Sequence, residues 1–349
     1  MAESNKICLL FQSGGVSVAV LYVKEQGAIL QKRSERILIS KGGKNLLEMP
    51  LYHIDSIMII GNVQITSQAL QAVLQQGIDV TYLTYSGKYL GHTAAETSKN
   101  IFLRLAQYEV YQDMGKRLGF AGKIVENKME NQKQMINRWR WESGDIAWKE
   151  EVEQIGKLQQ KIGKAENTSK LMGLEGMASN LYFRAFGRMF RCEFAFDGRN
   201  RRPPRDPINV MISLGYTFLT QEVSNALEGE SFEMYLGFLH GIRYGRKSLP
   251  LDLVEEFRQP VVDRMTVRMF NKRMIQKYDF TFEEDSVILN EDGFRKFCRE
   301  FERWMTDKNC SGEEKSYRQI IQEQAGCLKR AIQEKGVYEP YRLKEKTSI

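Results

Sequence analysis

The sequence has few of the residues that build disulfide frameworks and zinc sites. Five cysteines among 349 residues include no pair at CxxC spacing, and their odd number argues against a disulfide framework. The chain also lacks a long apolar run, and its start lacks a basic segment followed by an apolar core. We therefore expect neither a transmembrane helix nor a signal peptide, and free thiols indicate the reducing cytoplasm.

No sign of charge dominates the chain. The 51 Lys and Arg residues exceed the 44 Asp and Glu residues enough to give a net charge of +7. This excess is compatible with a nucleic-acid partner but does not demonstrate one. No zinc-finger, helix-turn-helix or RNA-recognition signature occurs, so the sequence does not predict a standard module for reading bases.

The hydrophobic pattern divides the chain into two regions. Short runs rich in β-branched and aromatic residues predict a small β-rich domain with one helix over residues 1–95. The predicted strands are Ile7–Phe11, Val16–Val23, Ile29–Leu30, Ile37–Ile39, Ile54–Ile60, Val80–Leu83 and Tyr89–Leu90. Helical periodicity then predicts a larger, mostly α-helical domain over residues 96–349, with one hairpin between Tyr278 and Leu289 and a flexible C-terminal tail. The predicted fold class is α+β.

Glu175 is the clearest chemical signal in the sequence. It lies within the apolar face of a predicted helix that contains Leu171 and Ala178, at three- and four-residue spacing. A carboxylate on such a face costs several kcal/mol unless it is paired, protonated or bound to a cation. Two interpretations remain open on this pattern: a buried Glu–Arg pair and a metal ligand.

A second cluster of chemistry-bearing residues lies between Gly237 and Arg264. The periodicity predicts that His240 closes one helix, and that Pro250 lies near the start of the next. Acidic residues follow within the first turns of that helix, namely Asp252, Glu255 and Glu256. A histidine and several carboxylates are typical of half of a hard-metal site, although acids in a first turn also simply complement the helix dipole.

Two loops concentrate positive charge. The residues predicted to contact phosphates are Arg199, Arg201, Arg202, Arg205, Arg243, Arg246 and Lys247. Guanidinium groups suit bidentate phosphate contact, so these loops favour binding to a polyanion. A solvated loop that pairs with local acids is the alternative.

Four segments, in order, resemble one family: the universal integrase of CRISPR adaptation, the first Cas protein family. They are LRLAQYEVYQD with KIVENKMENQ, LMGLEGMASNLYF, DPINVMISLGYTFL, and LHGIRYGRKSLPLDLVEEFRQPVVDR. Together they extend over most of the predicted helical region, and the β-rich start also suits the family. Agreement of all four segments in order makes the resemblance specific.

The resemblance implies that Glu175, His240 and Glu255 are the metal ligands and catalytic residues. Some family members carry Asp at the third place, where this chain has the longer Glu. Around these ligands we expect three orienting residues, which are Asp252, Glu256 and Asn209. Pro260 is expected to distort the last helix near Glu256 and thereby aim Glu255.

The family further implies a function: a metal-dependent DNA integrase and endonuclease that uses Mg²⁺ or Mn²⁺. The 3′-hydroxyl of a short foreign DNA would attack a repeat border by transesterification, and water in its place would give cleavage. The expected partners are double-stranded DNA, a second copy of the chain and a small ferredoxin-like companion protein. The expected location is the prokaryotic cytoplasm, with no membrane partner.

Two other functions remain alternatives. A non-catalytic DNA-binding scaffold would leave Glu175 and His240 as structural residues and would bind DNA without any metal effect. A phosphohydrolase of small phosphoesters would show weak salt dependence and would have no use for the arginine loop.

Overall fold

The computed structural model describes residues 8–10, 20–94, 100–143, 148–200, 203–334 and 336–344. Two residues predicted to contact phosphate, Arg201 and Arg202, lie outside these ranges. Up to Thr93, the described residues form strands, one α-helix and a short 3₁₀ turn, and α-helices with one hairpin follow in the rest of the described chain. This arrangement confirms the predicted α+β class.

The first part of the described chain forms two sheets. The elements are β1 (Cys8–Leu10), β2 (Val20–Val23), β3 (Ile29–Arg33), β4 (Arg36–Lys41), β5 (Lys44–Pro50), β6 (Ser56–Ile60), β7 (Gln64–Ile65), α1 (Ser67–Gln75), β8 (Asp79–Leu83) and β9 (Tyr89–Thr93). A five-stranded sheet has the order β1-β2-β6-β8-β9, in which β2, β6 and β8 are parallel and the two edge strands are antiparallel to their neighbours. A four-stranded sheet has the order β5-β4-β3-β7.

Helices dominate the remainder. They are α2 (Ile101–Gln112), α3 (Met114–Ser143), α4 (Lys149–Gln159), α5 (Thr168–Gly187), α6 (Pro207–Gly229), α7 (Ser248–Leu253), α8 (Arg264–Asn271), α9 (Glu291–Thr306), α10 (Lys308–Ser311) and α11 (Tyr317–Gln333). Strands β10 (Phe280–Phe282) and β11 (Val287–Leu289) pair antiparallel, which confirms the predicted hairpin. Within the described ranges, none of the helices has the length and apolarity to cross a bilayer.

The five-stranded sheet separates two hydrophobic cores. Successive residues of a strand point to opposite faces. Leu21 and Ile57 therefore pack in the core that the sheet forms with the four-stranded sheet and α1, whereas Tyr22 and Met58 pack in the helical core. The ring of Tyr22 stacks on Phe218 of α6, with centroids 5.6 Å apart. One sheet thus belongs to both halves of the molecule.

A buried ion-pair network joins three helices beside this sheet. The guanidinium of Arg318, on α11, donates to Glu222 of α6 at 2.6 and 3.0 Å and to Glu302 of α9 at 2.7 and 3.1 Å. The hydroxyl of Tyr22 lies 3.5 Å from Glu302. Because Glu302 is almost completely buried, its charge depends on Arg318 for compensation.

The helix pattern is irregular between α7 and α8. A 3₁₀ turn covers Val254–Glu256, and a π-helical stretch covers Arg258–Asp263. Pro260 lies in that stretch, where it has no N–H to continue an α-helical ladder. Its carbonyl accepts a hydrogen bond of 3.2 Å from the Trp304 indole. The expected distortion near Glu256 is therefore confirmed.

Residues 336–344 differ from the predicted flexible tail. They have no regular structure, yet the side chains of Tyr338, Tyr341 and Leu343 are buried against the helices. Asn131 of α3 donates to the Tyr341 carbonyl at 3.3 Å and accepts from the Leu343 amide at 2.8 Å. The segment packs because these three apolar side chains point inward, whereas the charged residues Glu339, Arg342 and Lys344 are exposed.

Lys24 lies directly after β2, under two aromatic rings. Its ammonium is 4.5 Å from the centroid of the Tyr85 ring and 4.2 Å from that of Phe294, on α9. Burial lowers the pKa of Lys24 from 10.5 to about 8. Between these two pH values the unfolded chain binds a proton that the folded protein has released, so this group makes stability rise with pH in that window.

We therefore expect Lys24→Met to stabilise the protein by about 1–3 kcal/mol at pH 7, because the variant no longer holds a charge out of water. The advantage should shrink as the pH rises from 7 to about 10, because the wild-type amine is then neutral in the folded protein and the unfolded chain approaches its own pKa of 10.5. Denaturant unfolding of both proteins at the two pH values measures this. Lys32→Met, at an exposed position of β3, is the control, and an advantage that does not change with pH contradicts the prediction.

Candidate active site

Two glutamates from different elements converge on one lysine. Glu175 lies in the middle of α5, and Glu255 lies in the 3₁₀ turn after α7. The ammonium of Lys128, on α3, donates to Glu175 Oε1 and lies 2.7 Å from Glu255 Oε2. Ser179, one turn after Glu175, donates to the same Glu175 oxygen at 2.8 Å. The packing of α3 against α5 therefore fixes a single position for a positive charge between two carboxylates.

Glu255 is buried, yet it is held ionised. Burial alone would raise the pKa of Glu255, but Arg258 and Lys128 outweigh it and lower the pKa to about 2. The Arg258 guanidinium lies 3.1 Å from Glu255 Oε1. The other oxygen, Oε2, has no hydrogen-bond donor in good geometry among the described residues, although the Lys128 ammonium is near. An ionised oxygen with unused acceptor capacity therefore faces the site.

Asp252 holds His240 and its loop. Asp252 Oδ1 accepts from His240 Nδ1 at 2.7 Å and from the His240 amide at 2.9 Å, and Oδ2 accepts from the amides of Phe238 and Leu239 at 2.5 and 3.0 Å. Because the carboxylate only accepts, Nδ1 carries a proton, which leaves Nε2 as the ring nitrogen that a metal would bind. His240 also lies near Glu255, close enough that a positive charge on the imidazole would help lower the pKa of Glu255.

The loop around His240 is not the helix that the periodicity predicts. Residues 231–247 have no helical structure, so the apolar residues spaced along them pack from a loop. The reason is the close approach to Asp252. A Cβ on Gly237 would lie 2.7 Å from the His240 carbonyl oxygen and 2.9 Å from Asp252 Oδ2. The loop therefore needs glycine at 237 to wrap around that carboxylate.

These residues suit a hard divalent cation. The described ranges contain no cluster of three His, Cys, Asp or Glu side chains already gathered around one point. Even so, two carboxylates converge on one cation position, which the Lys128 ammonium occupies, and an imidazole is fixed beside them. Carboxylate oxygens and imidazole are ligands of Mg²⁺ and Mn²⁺. That Glu175, His240 and Glu255 bind the metal stays a prediction.

Glu256 points away from these ligands. The Tyr338 hydroxyl and the Tyr341 amide donate to its carboxyl group, the latter at 2.8 Å, and Asn131 donates to its backbone carbonyl at 2.9 Å. Burial raises the pKa of Glu256 to about 8. The predicted orienting role beside the ligands thus differs from the structure, because a 3₁₀ turn rotates each residue by about 120° and sends Glu256 to the C-terminal segment.

Asn209 holds the arginine loop. Its side-chain oxygen accepts from Arg199 at 2.7 Å and from the Asn200 amide at 3.1 Å, and its nitrogen donates to the Gly198 carbonyl at 2.9 Å. Asp206, the N-cap of α6, accepts from the Asn209 amide at 2.8 Å. Its described hydrogen bonds therefore go to the loop, and not to Glu175, His240 or Glu255.

The predicted phosphate contacts divide into engaged and exposed side chains. Arg199 is turned inward, where it donates to Asn209 and to Ser213 and lies 5.6 Å from the Tyr216 ring centroid. Lys247 pairs with Glu228 at 2.6 Å, and Arg246 donates to the Gly241 carbonyl at 2.6 Å. Local acceptors therefore already engage some of the donors of these three side chains, and their predicted contact with phosphate stays a prediction. Arg205 and Arg243 are exposed.

The sequence reasoning missed Lys128 and Arg258. Lys128 lies on a face of α3 with Ile124, Val125 and Met129, all of which are buried. A charged residue inside such a stripe is the same signal that identified Glu175, so the helical periodicity of α3 contains it. Arg258 follows Glu255 at i+3 spacing, which brings opposite charges together in a helical turn.

The comparisons with known proteins find relatives that match most of the chain. The family described as "CRISPR associated protein Cas1" matches residues 21–303. A CRISPR-associated endonuclease Cas1 of Thermus thermophilus is 35% identical over 337 residues, which is 95% of this chain and 99% of the relative. A solved Cas1 protein from Thermotoga maritima has a TM-score of 0.80 at 25% identity and covers 90% of this chain and 96% of that one. A casposase bound to its integration product shares the fold, with a TM-score of 0.80 at 23% identity over 95% of this chain and 96% of that one.

Proposed function

Since the chain belongs to the CRISPR-associated Cas1 family, we propose that it is a metal-dependent DNA integrase and endonuclease that inserts short foreign DNA into a CRISPR repeat array. The observation that supports this most is the convergence of Glu175 and Glu255 on one cation position, with His240 oriented beside them by Asp252. A relative that is named an endonuclease supports phosphodiester chemistry. The alternative scaffold function would have no need for this arrangement.

Mg²⁺ or Mn²⁺ would be held by Glu175, Glu255 and His240 through Nε2. When bound, such a cation supplies Lewis-acid polarisation of the phosphodiester. Asp252 keeps the proton on His240 Nδ1 and so keeps Nε2 available. Arg258 fixes Glu255 in its ionised form, which is the form that binds a cation.

The reaction exchanges one phosphodiester for another. The 3′-hydroxyl oxygen of the incoming DNA forms a bond to phosphorus at the repeat border, the bond from phosphorus to the 3′-oxygen of the repeat strand breaks, and that oxygen leaves as a new 3′-hydroxyl. The proton of the attacking hydroxyl leaves to solvent, and another protonates the leaving oxygen. Water as the attacking group gives hydrolysis instead. Positive side chains near the site stabilise the added charge on the phosphoryl oxygens.

Exposed basic residues would position the DNA backbone. Arg205 and Arg243 have the exposure that phosphate contact needs, and we propose the same role for Arg201 and Arg202. Arg199, Arg246 and Lys247 would instead shape the loops that carry the exposed residues, since their described contacts are internal.

We further propose that residues 1–95 form the dimerisation domain and residues 96–349 the catalytic domain. A homodimer would place two active sites on one DNA, and the small ferredoxin-like companion protein would bridge two dimers. Double-stranded DNA, as fragment and as repeat, is the substrate of both sites. These assignments follow from the family.

A branched DNA that mimics a half-finished insertion tests the proposed function. We expect the wild-type protein to reseal this DNA and release the branch in Mg²⁺ or Mn²⁺ and to do nothing in EDTA, because transesterification is reversible. Gel analysis of labelled strands measures both products. Equal DNA binding with and without metal, and no strand transfer even with the companion protein, would favour the scaffold. Turnover of a small phosphoester without turnover of DNA would favour the phosphohydrolase.

A further inference from the structure

Lys128 occupies the position between the two glutamates. Its side chain is 8% exposed, and the two partner side chains, Glu175 and Glu255, are 24% and 5% exposed. The ammonium meets one oxygen of each carboxylate. A cation bound by those same oxygens would lie about 2.0–2.2 Å from each. An ammonium that also contacts both would then lie too near the cation, so the metal and the Lys128 ammonium cannot share this position.

The charges at this position already balance. Glu175 and Glu255 contribute two negative charges, and Lys128 and Arg258 contribute two positive charges within ion-pair distance. A divalent cation added to this group leaves two uncompensated positive charges. A phosphodiester brings a negative charge to the same place, and it offers the displaced ammonium oxygens to bind. Metal and DNA phosphate are therefore expected to favour each other's binding.

We propose that Lys128 is an internal cation that occupies the metal position until DNA phosphate takes over its ammonium, so that metal and DNA bind cooperatively. This inference rests on the proposed function, since it concerns the same site. Lys128 acts as a positioning residue: it holds the carboxylates together before the metal enters. The four-carbon stem lets the ammonium move from the carboxylates to a phosphate without displacing α3.

Arg258 cannot play this part. Its guanidinium lies against the Tyr216 ring, 4.6 Å from the centroid, and pairs with the other oxygen of Glu255. It therefore stays in place when a cation binds at Oε2. Only Lys128 contacts both carboxylates among the described residues.

Binding of Mn²⁺, followed by electron paramagnetic resonance, tests this proposal without any catalytic turnover. The DNA is a short duplex with blocked 3′ ends, and binding of Mn²⁺ to the DNA alone is subtracted. For the wild type we expect the duplex to tighten Mn²⁺ binding about tenfold, and the metal to tighten DNA binding by the same factor. For Lys128→Met we expect Mn²⁺ to bind about tenfold more tightly without DNA, and the effect of DNA to fall below about threefold.

The chain offers matched controls. Lys133 lies on the same helix and pairs with Glu130 at 2.7 Å, at about a fifth exposed, and Lys133→Met should leave Mn²⁺ binding unchanged. Lys128→Arg keeps the charge and should keep weak metal binding. Lys128→Gln repeats the test if the methionine variant is insoluble, and the rise in Tm that Mn²⁺ produces provides a second measurement.

Two failures are distinguishable. If Glu175→Gln and Glu255→Gln bind Mn²⁺ as tightly as the wild type does, the proposed metal site itself is wrong. If those variants lose Mn²⁺ and the wild type transfers strands, but Lys128→Met binds Mn²⁺ as weakly as the wild type and keeps the full effect of DNA, then only the role of Lys128 is overturned.

Discussion

His240→Ala is expected to slow metal-dependent strand transfer about a thousandfold, which corresponds to about 4 kcal/mol of transition-state stabilisation. The physical reason is the loss of the one neutral ligand of the proposed site, whose orientation depends on Asp252. The single-turnover rate on branched DNA, at saturating protein, measures the effect. DNA affinity, measured by fluorescence anisotropy without metal, should stay within about threefold of the wild type, because His240 is proposed to bind the metal and not the DNA.

His53→Ala is the matched control for this experiment. His53 ends a short 3₁₀ turn after β5, where its ring contacts Tyr52 at 4.3 Å between centroids, and it belongs to the β-rich part of the chain. The His53→Ala variant should transfer strands at the single-turnover rate of the wild type. A His240→Ala protein that transfers strands at the wild-type rate would remove His240 from the catalytic site and return the imidazole to a structural role.

Arg318→Met is expected to lower the free energy of unfolding by about 3–5 kcal/mol. The substitution removes the guanidinium that both carboxylates contact, and it leaves Glu302 buried and Glu222 only 17% exposed. The loss exceeds the value of the ion pairs themselves, since the buried carboxylate of Glu302 then lacks its positive partner and lies beside that of Glu222. Denaturant unfolding followed by circular dichroism gives the change.

Lys329→Met serves as the comparison for that result. Lys329 is on the same helix, α11, and pairs with Glu230 at 2.8 Å, but both side chains are about one-third exposed. Water compensates the charge that remains, so we expect a loss below about 1 kcal/mol. Equal losses in the two variants would show that burial of the Arg318 network contributes nothing beyond an ordinary surface pair.

The sequence predicted those strands and helices in which a single hydrophobic pattern continues along the whole element. The runs at β2, β6 and β8 are rich in β-branched residues and were identified, whereas β5, with the sequence KNLLEMP, has none and was missed. The helix expected to end at His240 shows the opposite error. There the apolar spacing is helical, but the amides of Phe238 and Leu239 donate to Asp252, and the chain forms a loop. These hydrogen bonds join residues more than ten positions apart, which helical spacing does not predict.

The acidic residues of the candidate site were predictable from the sequence, whereas its basic residues, Lys128 and Arg258, were not predicted. Glu175 was identified because a carboxylate on an apolar face requires a partner, and the structure supplies Lys128 from a helix about 47 positions earlier in the chain. Periodicity places each residue on a face but does not say which two faces meet. The contacts of Glu256 and Arg199 were not predictable for the same reason, since their partners, Tyr338 and Asn209, come from tertiary packing.

The sheet that borders both cores limits how this protein can be recombined with its relatives. A chimera that takes its strands from one parent and its helices from another replaces one side of a packed boundary. The residues on the helical side of the sheet are Val20, Tyr22, Met58, Ile60 and Leu83. They are interleaved along the strands with residues that serve the other core, so no crossover point separates them. A chimera that exchanges the first 95 residues should therefore keep, at these five positions, the residues of the parent that supplies the helices.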